Sequence, residues 1–455
     1  MGSQMVSRRI YADRTEQSFE SAEERRAQGK AYRKELPIEE LGRYVRSDRD
    51  PVAILKKQDE TRLPDLVPLR HERMSASPFT FYRGSARLMA FDLAQQPNTG
   101  QQVVACGDAH ISNFGFFASP ERRLVFDLND FDEAAPGPWE WDVRRMVASV
   151  VLGAKDANYS DEDVQHLAQQ TAHAYRIAIR GLSQQSALER YYQSIDEQLI
   201  VDRLDASSLP AFQKVAAKAR RRTSVQAVTK MTELDENGRL QFREDAPVLT
   251  HLIDAPARDL RKLYREYLAS ASPDIRLLLE KYRLIDGARR VVGVGSVGTR
   301  CYVVLLQDAV GQPLVLQIKE AVTSVVTEFN KPNASTPDTL QRREHNGKRV
   351  VDHQRILQAV SDPFLGWGSA GGHDFYIRQF RDMKGSIDLS KLNARGFEEY
   401  VTGCGLLLAR AHSQSPALHW IAGYLTKGAK FDKAMTRWSM AYAEQVDEDY
   451  KRFVA

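Results

Sequence analysis

An α+β protein of two lobes is the fold class that three features of the chain predict. Its 455 residues exceed what one small domain needs and supply enough chain for a large core. Ala-, Leu-, Arg-, Gln- and Glu-rich stretches at helical spacing fill residues 139–200, 209–234, 249–285 and 394–455. Between the last two lie β-branched runs separated by glycine turns, the signature of a small antiparallel sheet. The expected division is an N-terminal arm and helix (1–60), a helical lobe (61–285), a β-rich lobe (286–390) and C-terminal helices packing back on the helical lobe (391–455).

Taken in order, residues 1 to about 60 mix charges with few apolar positions and predict a mobile arm leading into a short helix at 39–56. Ser77 to Gly84 read as an aromatic loop that runs into the helix ARLMAFDLAQQ. Gln102–Cys106, Phe114–Phe117 and Leu124–Leu128 read as strands, the last two around the turn Ser119-Pro120-Glu121. After the helical stretches, broken at Asp235-Glu236-Asn237-Gly238, strands are expected at Arg290–Val294, Cys301–Gln307, Leu314–Lys319 and Asp374–Phe380, with a helix at 342–360. No internal repeat is present.

Composition narrows the partners. A net charge of +4 is too dilute for nucleic acid, and Lys218, Arg220, Arg221 and Arg222 read as a solvated helix face. No apolar stretch approaches the roughly 18 residues needed to cross a bilayer, and the charged N-terminus lacks the apolar segment of a secretory signal, so a cytoplasmic location is expected. Cys106, Cys301 and Cys404 are far apart and odd in number, which argues for reduced thiols.

Two constellations carry chemistry. The first is Gly107-Asp108-Ala109-His110-Ile111-Ser112-Asn113, followed by Asn129-Asp130-Phe131-Asp132. In kinase-type phosphotransferases an Asp and an Asn five apart divide the labour: the Asp takes the proton of the acceptor hydroxyl and the Asn carboxamide ligates magnesium. Asp130 supplies a second metal oxygen, with Asp127 and Asp132 as close competitors, and His110 reads as packing or loop hydrogen bonding. These acids sit among apolar and aromatic residues, where charge needs a cation or metal for compensation.

The second constellation is Gly293-Val294-Gly295-Ser296-Val297-Gly298. A dinucleotide fingerprint should open a helix, whereas TRCYVVLLQ continues as a strand, the hairpin of a glycine-rich loop whose lysine stands on the next strand. Gly293, Gly295, Ser296 and Gly298 would cover nucleotide phosphates and Lys319 would anchor them, paired with Glu344 or Asp352 from the following helix. Phe375–Phe380 is expected to lead into a hinge that binds an adenine edge, and Arg83 is an additional anion or substrate contact.

These motifs resemble the protein kinase-like superfamily, especially its aminoglycoside phosphotransferase branch. Its H-G-D-x-H-x-x-N loop is similar to Cys106–Asn113, with Cys106 where the histidine would be, and its I-D-F/W segment is similar to Asn129-Asp130-Phe131. Asp142 in WEWDVRRMVAS matches the structural aspartate that follows, which the resemblance takes as support for Asp130 over Asp127 as the metal ligand. From about Arg73 to His412 the chain also resembles a bacterial family known as domain of unknown function 2252, through RMSASPFTFYRGSA, GDAHISNFG, LVFDLNDFDEAAPGPWEWDVRR, KRVVDHQRILQAVSDPFLGW, YIRQFRDMKGS and LARAHSQS.

In ordinary kinases the glycine loop and lysine come first, but here Asp108 precedes Lys319. The resemblance therefore implies a circularly permuted kinase-like fold, with FEEYVTGCGLLLARAHSQS similar to the helix that leads into the catalytic loop and ARLMAFDLAQQ competing for that role. The implied activity is ATP- and magnesium-dependent transfer of a γ-phosphoryl group to an unidentified small-molecule or protein hydroxyl, bound over the helices of 150–285. The alternatives are AMP transfer on the same fold, a nucleotide-binding pseudokinase, and a metal-dependent phosphoesterase using Asp108, His110 and Asp130.

Overall fold

The computed structural model describes residues 20–252, 257–330 and 345–455; Glu344 lies outside them. Among the described residues eleven α-helices precede the main sheet: α1 (Ala22–Tyr32), α2 (Pro51–Asp59), α3 (Val67–Met74), α4 (Pro78–Gly84), α5 (Ala86–Leu93), α6 (Trp139–Asp156), α7 (Asp161–Leu182), α8 (Ala187–Tyr192), α9 (Glu197–Val201), α10 (Leu209–Arg221) and α11 (Ser224–Met231). Among them run β1 (Gln102–Ala105), β2 (Phe114–Ala118), β3 (Leu124–Leu128) and β4 (Ala135–Pro138), paired antiparallel as β1 with β4 and β2 with β3.

Several boundaries differ from the sequence reading, each for a local reason. The helix expected at 39–56 is a short 3-10 turn at Ile38–Gly42 and then α2, because Asp50 caps the N–H of Val52 at 2.9 Å and Pro51 occupies the first helical position. The aromatic stretch 77–84 is α4 rather than a loop: Ser77 and Thr80 form a reciprocal cap and Pro78 follows it. Residues 232–251 hold the hairpin β5 (Thr232–Leu234) and β6 (Leu240–Phe242) and the strand β7 (Leu249–His251), of which β5 and β7 fall at the ends of stretches expected to be helical (209–234 and 249–285). Segments of three residues carry no readable period, so only their partners reveal them.

The remaining elements are α12 (Ala257–Ser270), α13 (Pro273–Leu279), β8 (Tyr282–Arg290), β9 (Cys301–Asp308), β10 (Pro313–Glu320), α14 (Val325–Phe329), α15 (Asn346–Leu357), β11 (Gly366–Ala370), β12 (His373–Gln379), α16 (Ala394–His412), α17 (Leu418–Tyr424) and α18 (Lys430–Val454). An antiparallel six-stranded sheet runs in the order β11-β12-β10-β9-β8-β7. The sheet thus begins at Leu249, not near residue 286, and β8 ends where the strand Arg290–Val294 was expected to start. Helix α12 covers β11 so closely that a Cβ on Gly366 would meet the Tyr267 ring at 2.7 Å.

The helical body centres on α6, in which every residue from Trp139 to Ala154 is buried. A helix buried all round is normally apolar, so Glu140, Asp142, Arg144 and Arg145 are its informative residues. Glu140 accepts the Thr99 N–H at 2.7 Å through Oε1, and Arg144 donates Nη2 to the carbonyls of Leu41 and Pro97 at 2.9 and 2.8 Å, while Glu140 Oε2 and Arg144 Nε and Nη1 are buried without a partner among the described residues. Helices α7, α16 and α18 pack around α6, and α1 lies across α17, where Gly29 approaches the Trp420 carbonyl too closely for any side chain. From Ala22 onward the N-terminal segment is therefore docked on the C-terminal helices. The three cysteines are free and buried, as expected.

Candidate functional site

The loop after β1 is bolted to α6 and α16. Asp142 accepts the N–H groups of Cys106 and Gly107 at 2.6 and 2.9 Å, and Ser149 Oγ accepts that of Ile111 at 2.9 Å. Tyr400 on α16 donates its hydroxyl to the Ile111 carbonyl. Gly107 takes the left-handed conformation (φ +77°) with the Glu133 carbonyl against its Cα, a place only glycine fills.

This anchoring presents Asp108 and Asn113 on one loop. Arg145 Nε donates to Asp108 Oδ1 at 2.8 Å, with Nη2 also 2.8 Å from that oxygen. Oδ2 faces His110 Nε2 at 3.8 Å, too far for a hydrogen bond. Burial raises the Asp108 carboxyl against the pull of Arg145. Asn113 gives its Nδ2 to the Asp108 carbonyl at 2.7 Å, which leaves the carboxamide oxygen as its outward acceptor. His110 is buried with Nδ1 unpartnered, and burial together with Arg83 and Arg145 holds it well below its usual pKa, hence neutral.

The β2–β3 hairpin sorts the three competing acids. Asp127 is buried and spent on structure, accepting the N–H groups of Leu128 and Ala359 at 2.8 and 3.0 Å. Asn129 donates its N–H to the Asn113 carbonyl at 3.0 Å, which sets Asp130 beside the Asp108–Asn113 loop. Burial would raise the Asp130 carboxyl, but Lys319, Arg378, the Asp132 N–H and Lys384 together hold it below its ordinary value.

Lys319 reaches these acids from the sheet. Its buried ammonium bonds Asp132 and lies 4.0 Å from Asp130, and Tyr376, its register partner on β12, donates its hydroxyl to Asp132 at 2.8 Å. Burial opposes the charge, yet Asp130, Asp132 and Tyr376 hold the ammonium well above its usual pKa. Of the two expected helix partners Glu344 lies outside the described residues and Asp352 bonds Lys348 one turn away on its own helix, and among the described residues the acids facing Lys319 are Asp130 and Asp132. Helix α15 contributes Arg349 and His353 instead. Arg349 donates to the carbonyls of Asp132, Ala134 and Val322, and His353 Nδ1 lies 3.0 Å from the Ala134 carbonyl, so the helix grips the backbone that carries Asp132.

Two further cations border the acids. Arg378 donates Nε to Gln317 at 2.9 Å, and Lys384, pushed down to about 7 by burial and by Arg378, forms no hydrogen bond or ion pair among the described residues. Lys384 follows β12 in a segment that crosses to β2: Ala118 donates to the Asp382 carbonyl, and Phe116 and Gly385 exchange backbone bonds at 2.7 and 3.0 Å. The chain there holds Arg381 and Met383 at φ +44° and +50°, a conformation that side chains rarely adopt.

The glycine loop opens no helix and leads into β9, as expected, with Gly293 and Gly298 at positive φ. It is pinned to the first lobe: Arg73 donates to the Gly293 carbonyl at 2.7 Å, Arg62 to that of Val297, and Leu63 N–H to that of Gly298 at 2.8 Å. A Cβ on Gly295 would sit 3.1 Å from the Arg83 carbonyl.

The structure thus gathers Asp108, Asn113, Asp130, Asp132, Lys319 and Arg83 and sets Asp127 and Asp352 aside. Sequence reasoning missed Arg145, Tyr376, Arg378, Lys384 and His412. Their available signal was charge or polarity inside apolar segments, as in WEWDVRR, YIRQFRDMK and LLLARAH. Among the described residues four cations (Arg83, Arg145, Lys319, Arg378) and Lys384, whose pKa falls to about 7, face Asp108, Asp130 and Asp132, leaving the site net positive and suited to a polyanion. Among the described residues no three His, Cys, Asp or Glu side chains form a group that could hold a metal ion. Nor, among the described residues, is any helix long and apolar enough to cross a membrane. No curated protein and no solved structure matches the chain. Residues 62–455 match the family described as an uncharacterized protein conserved in bacteria (DUF2252), and the chain belongs to that family.

Proposed function

We propose that the protein is an ATP- and magnesium-dependent phosphotransferase with a circularly permuted kinase-like fold. The meeting of Lys319 with Asp130 and Asp132 carries this reading, because it brings a sheet cation to the acids of the hairpin that is bonded to the Asp108–Asn113 loop. The order of elements supports it: three antiparallel strands with the glycine loop between the first and second and Lys319 on the third, then the helices α14 and α15, then two strands.

In this reading Lys319 anchors the nucleotide phosphates and the glycine loop borders them. Asn113 and Asp130 fit a magnesium ion, since both offer oxygen and this ion takes one or two carboxylates together with phosphates and water. Bound there, it would neutralise charge on the phosphates. Asp108 presents Oδ2 to the acceptor hydroxyl while Arg145 fixes Oδ1. As the acceptor oxygen bonds to the γ-phosphorus, the bond to the bridging oxygen breaks, ADP leaves with that electron pair, and the acceptor proton passes to Asp108.

Titration calorimetry of ATP with magnesium, run on the wild type and Asp130→Ala, tests the site. Binding in the wild type that is lost or sharply weakened in the variant is expected. Equal binding in both, or none in either, would overturn the metal assignment. Asp108→Asn should keep nucleotide binding and lose transfer of labelled γ-phosphate by roughly a hundred-fold or more, and mass spectrometry of the products separates phosphate from an AMP adduct.

A further inference from the structure

Among the described residues Arg83 is a cation beside the Asp108 loop without a hydrogen-bond or ion-pair partner. At the end of α4 it is half-buried, its Nε is buried without a partner, and its guanidinium makes no hydrogen bond or ion pair among the described residues. Arg145, its neighbour, is in contrast fully engaged: it bonds Asp108 Oδ1 and the Tyr82 carbonyl at 2.8 Å and stacks 3.9 Å over the Tyr82 ring. A buried guanidinium N–H without an acceptor is costly and normally finds one.

Its position says which acceptor. The Arg83 carbonyl touches the glycine loop at Gly295, and its side chain lies in the field of Asp108, Arg145, Tyr400 and His110. His110, next to it, is neutral and offers no competing positive charge. The residue therefore stands between the loop that would cover the nucleotide phosphates and the carboxylate that would take the acceptor proton. We propose that Arg83 contacts the transferring γ-phosphoryl group, its planar fork meeting the equatorial oxygens as negative charge gathers on them. This rests on the phosphotransferase reading above. A contact of this kind is realised mainly in the transition state, so it acts on turnover more than on ground-state binding.

The test is calorimetric and needs no knowledge of the acceptor. Magnesium ADP, alone and with aluminium fluoride as a mimic of the planar phosphoryl group, is titrated into wild type, Arg83→Ala and Arg83→Lys, with thermal unfolding of each protein as a folding control. Binding of magnesium ADP within about threefold in all three proteins, with fluoride-complex binding weakened roughly a hundred-fold in Arg83→Ala and partly recovered in Arg83→Lys, is the expected result. Should Arg83→Ala be destabilised, the folded Arg83→Lys protein decides, because a point charge replaces the fork without removing the cation. Wild-type protein that binds both ligands while both variants match it would overturn the role of Arg83 alone. Wild-type protein that binds neither would overturn the phosphotransferase reading and this inference with it.

Discussion

His412 Nε2 lies 3.1 Å from Asp142 Oδ2, the carboxylate whose two oxygens accept the N–H groups of Cys106 and Gly107. The histidine is fully buried near the end of α16, and its Nδ1 meets the Tyr175 hydroxyl at 2.8 Å. Here an imidazole reaches the loop's anchoring aspartate from a helix some three hundred residues later. The Cys106 thiol, pushed well above its usual pKa by burial, stays neutral and points to the Asp130 carbonyl at 3.4 Å.

Asp142→Ala should lower the free energy of unfolding by roughly 2–5 kcal/mol, because two buried N–H groups lose their acceptor. Asp142→Asn keeps one acceptor oxygen and should cost less. Urea denaturation measures both, and an alanine variant within about 0.5 kcal/mol of wild type, the range of an ordinary surface change, would remove the anchoring role from Asp142.

Gly107→Ala should be far more damaging than Gly238→Ala. Both glycines are left-handed, at φ +77° and +72°, but a Cβ on Gly107 would fall 2.2 Å from the Glu133 carbonyl oxygen while Gly238 meets nothing within 4 Å. The second substitution carries only the backbone term of about 1 kcal/mol; the first adds a clash with backbone and should cost at least about 2 kcal/mol more. Equal melting-temperature losses for the two variants would show that the loop relaxes around the added methyl group.

Lys319 and Asp132 should be energetically coupled, and Lys319 and Asp352 should not. A double-mutant cycle on Lys319→Met and Asp132→Asn is expected to return a coupling of roughly 1–2 kcal/mol. The same cycle with Asp352→Asn should be additive within about 0.5 kcal/mol. Coupling to Asp352 in place of Asp132 would reinstate the helix carboxylate as the lysine's partner.

Glu133 gives a pH signature. Burial pushes its carboxyl up from 4.5 to about 7, although it accepts the Val325 N–H at 2.7 Å. Between those values the unfolded chain has released the proton and the folded chain still holds it, so the unfolded state binds fewer protons and stability falls as pH rises from 4.5 to about 7. Glu133→Gln should flatten that part of the profile while still accepting from Val325. Parallel stability–pH curves for the two proteins across that window would assign the slope to other groups.

The elements with long or strongly β-branched patterns were legible in the sequence: the hairpin Phe114–Leu128, the strands at 301–308 and 313–320, and the helices at 139–156 and 394–412. So were the residue types of the site, since Asp108, Asn113, Asp130 and Lys319 stand in motifs whose spacing has a chemical reason. Short elements escaped, because Leu249–His251 and Gly366–Ala370 are strands only by virtue of their neighbours.

Spacing along the chain determined which residues share a loop, and so placed Asp108 with Asn113 and set Asp130 on the following hairpin. Tertiary structure alone decided the pairings across the fold. Lys319 meets Asp132 rather than Asp352, Asp127 is consumed by backbone N–H groups, and Arg145 and His412 reach Asp108 and the loop's anchor Asp142 from separate helices. The reason is that a buried charge takes whichever counter-charge packing brings within reach, and distance in a folded chain is not distance along it.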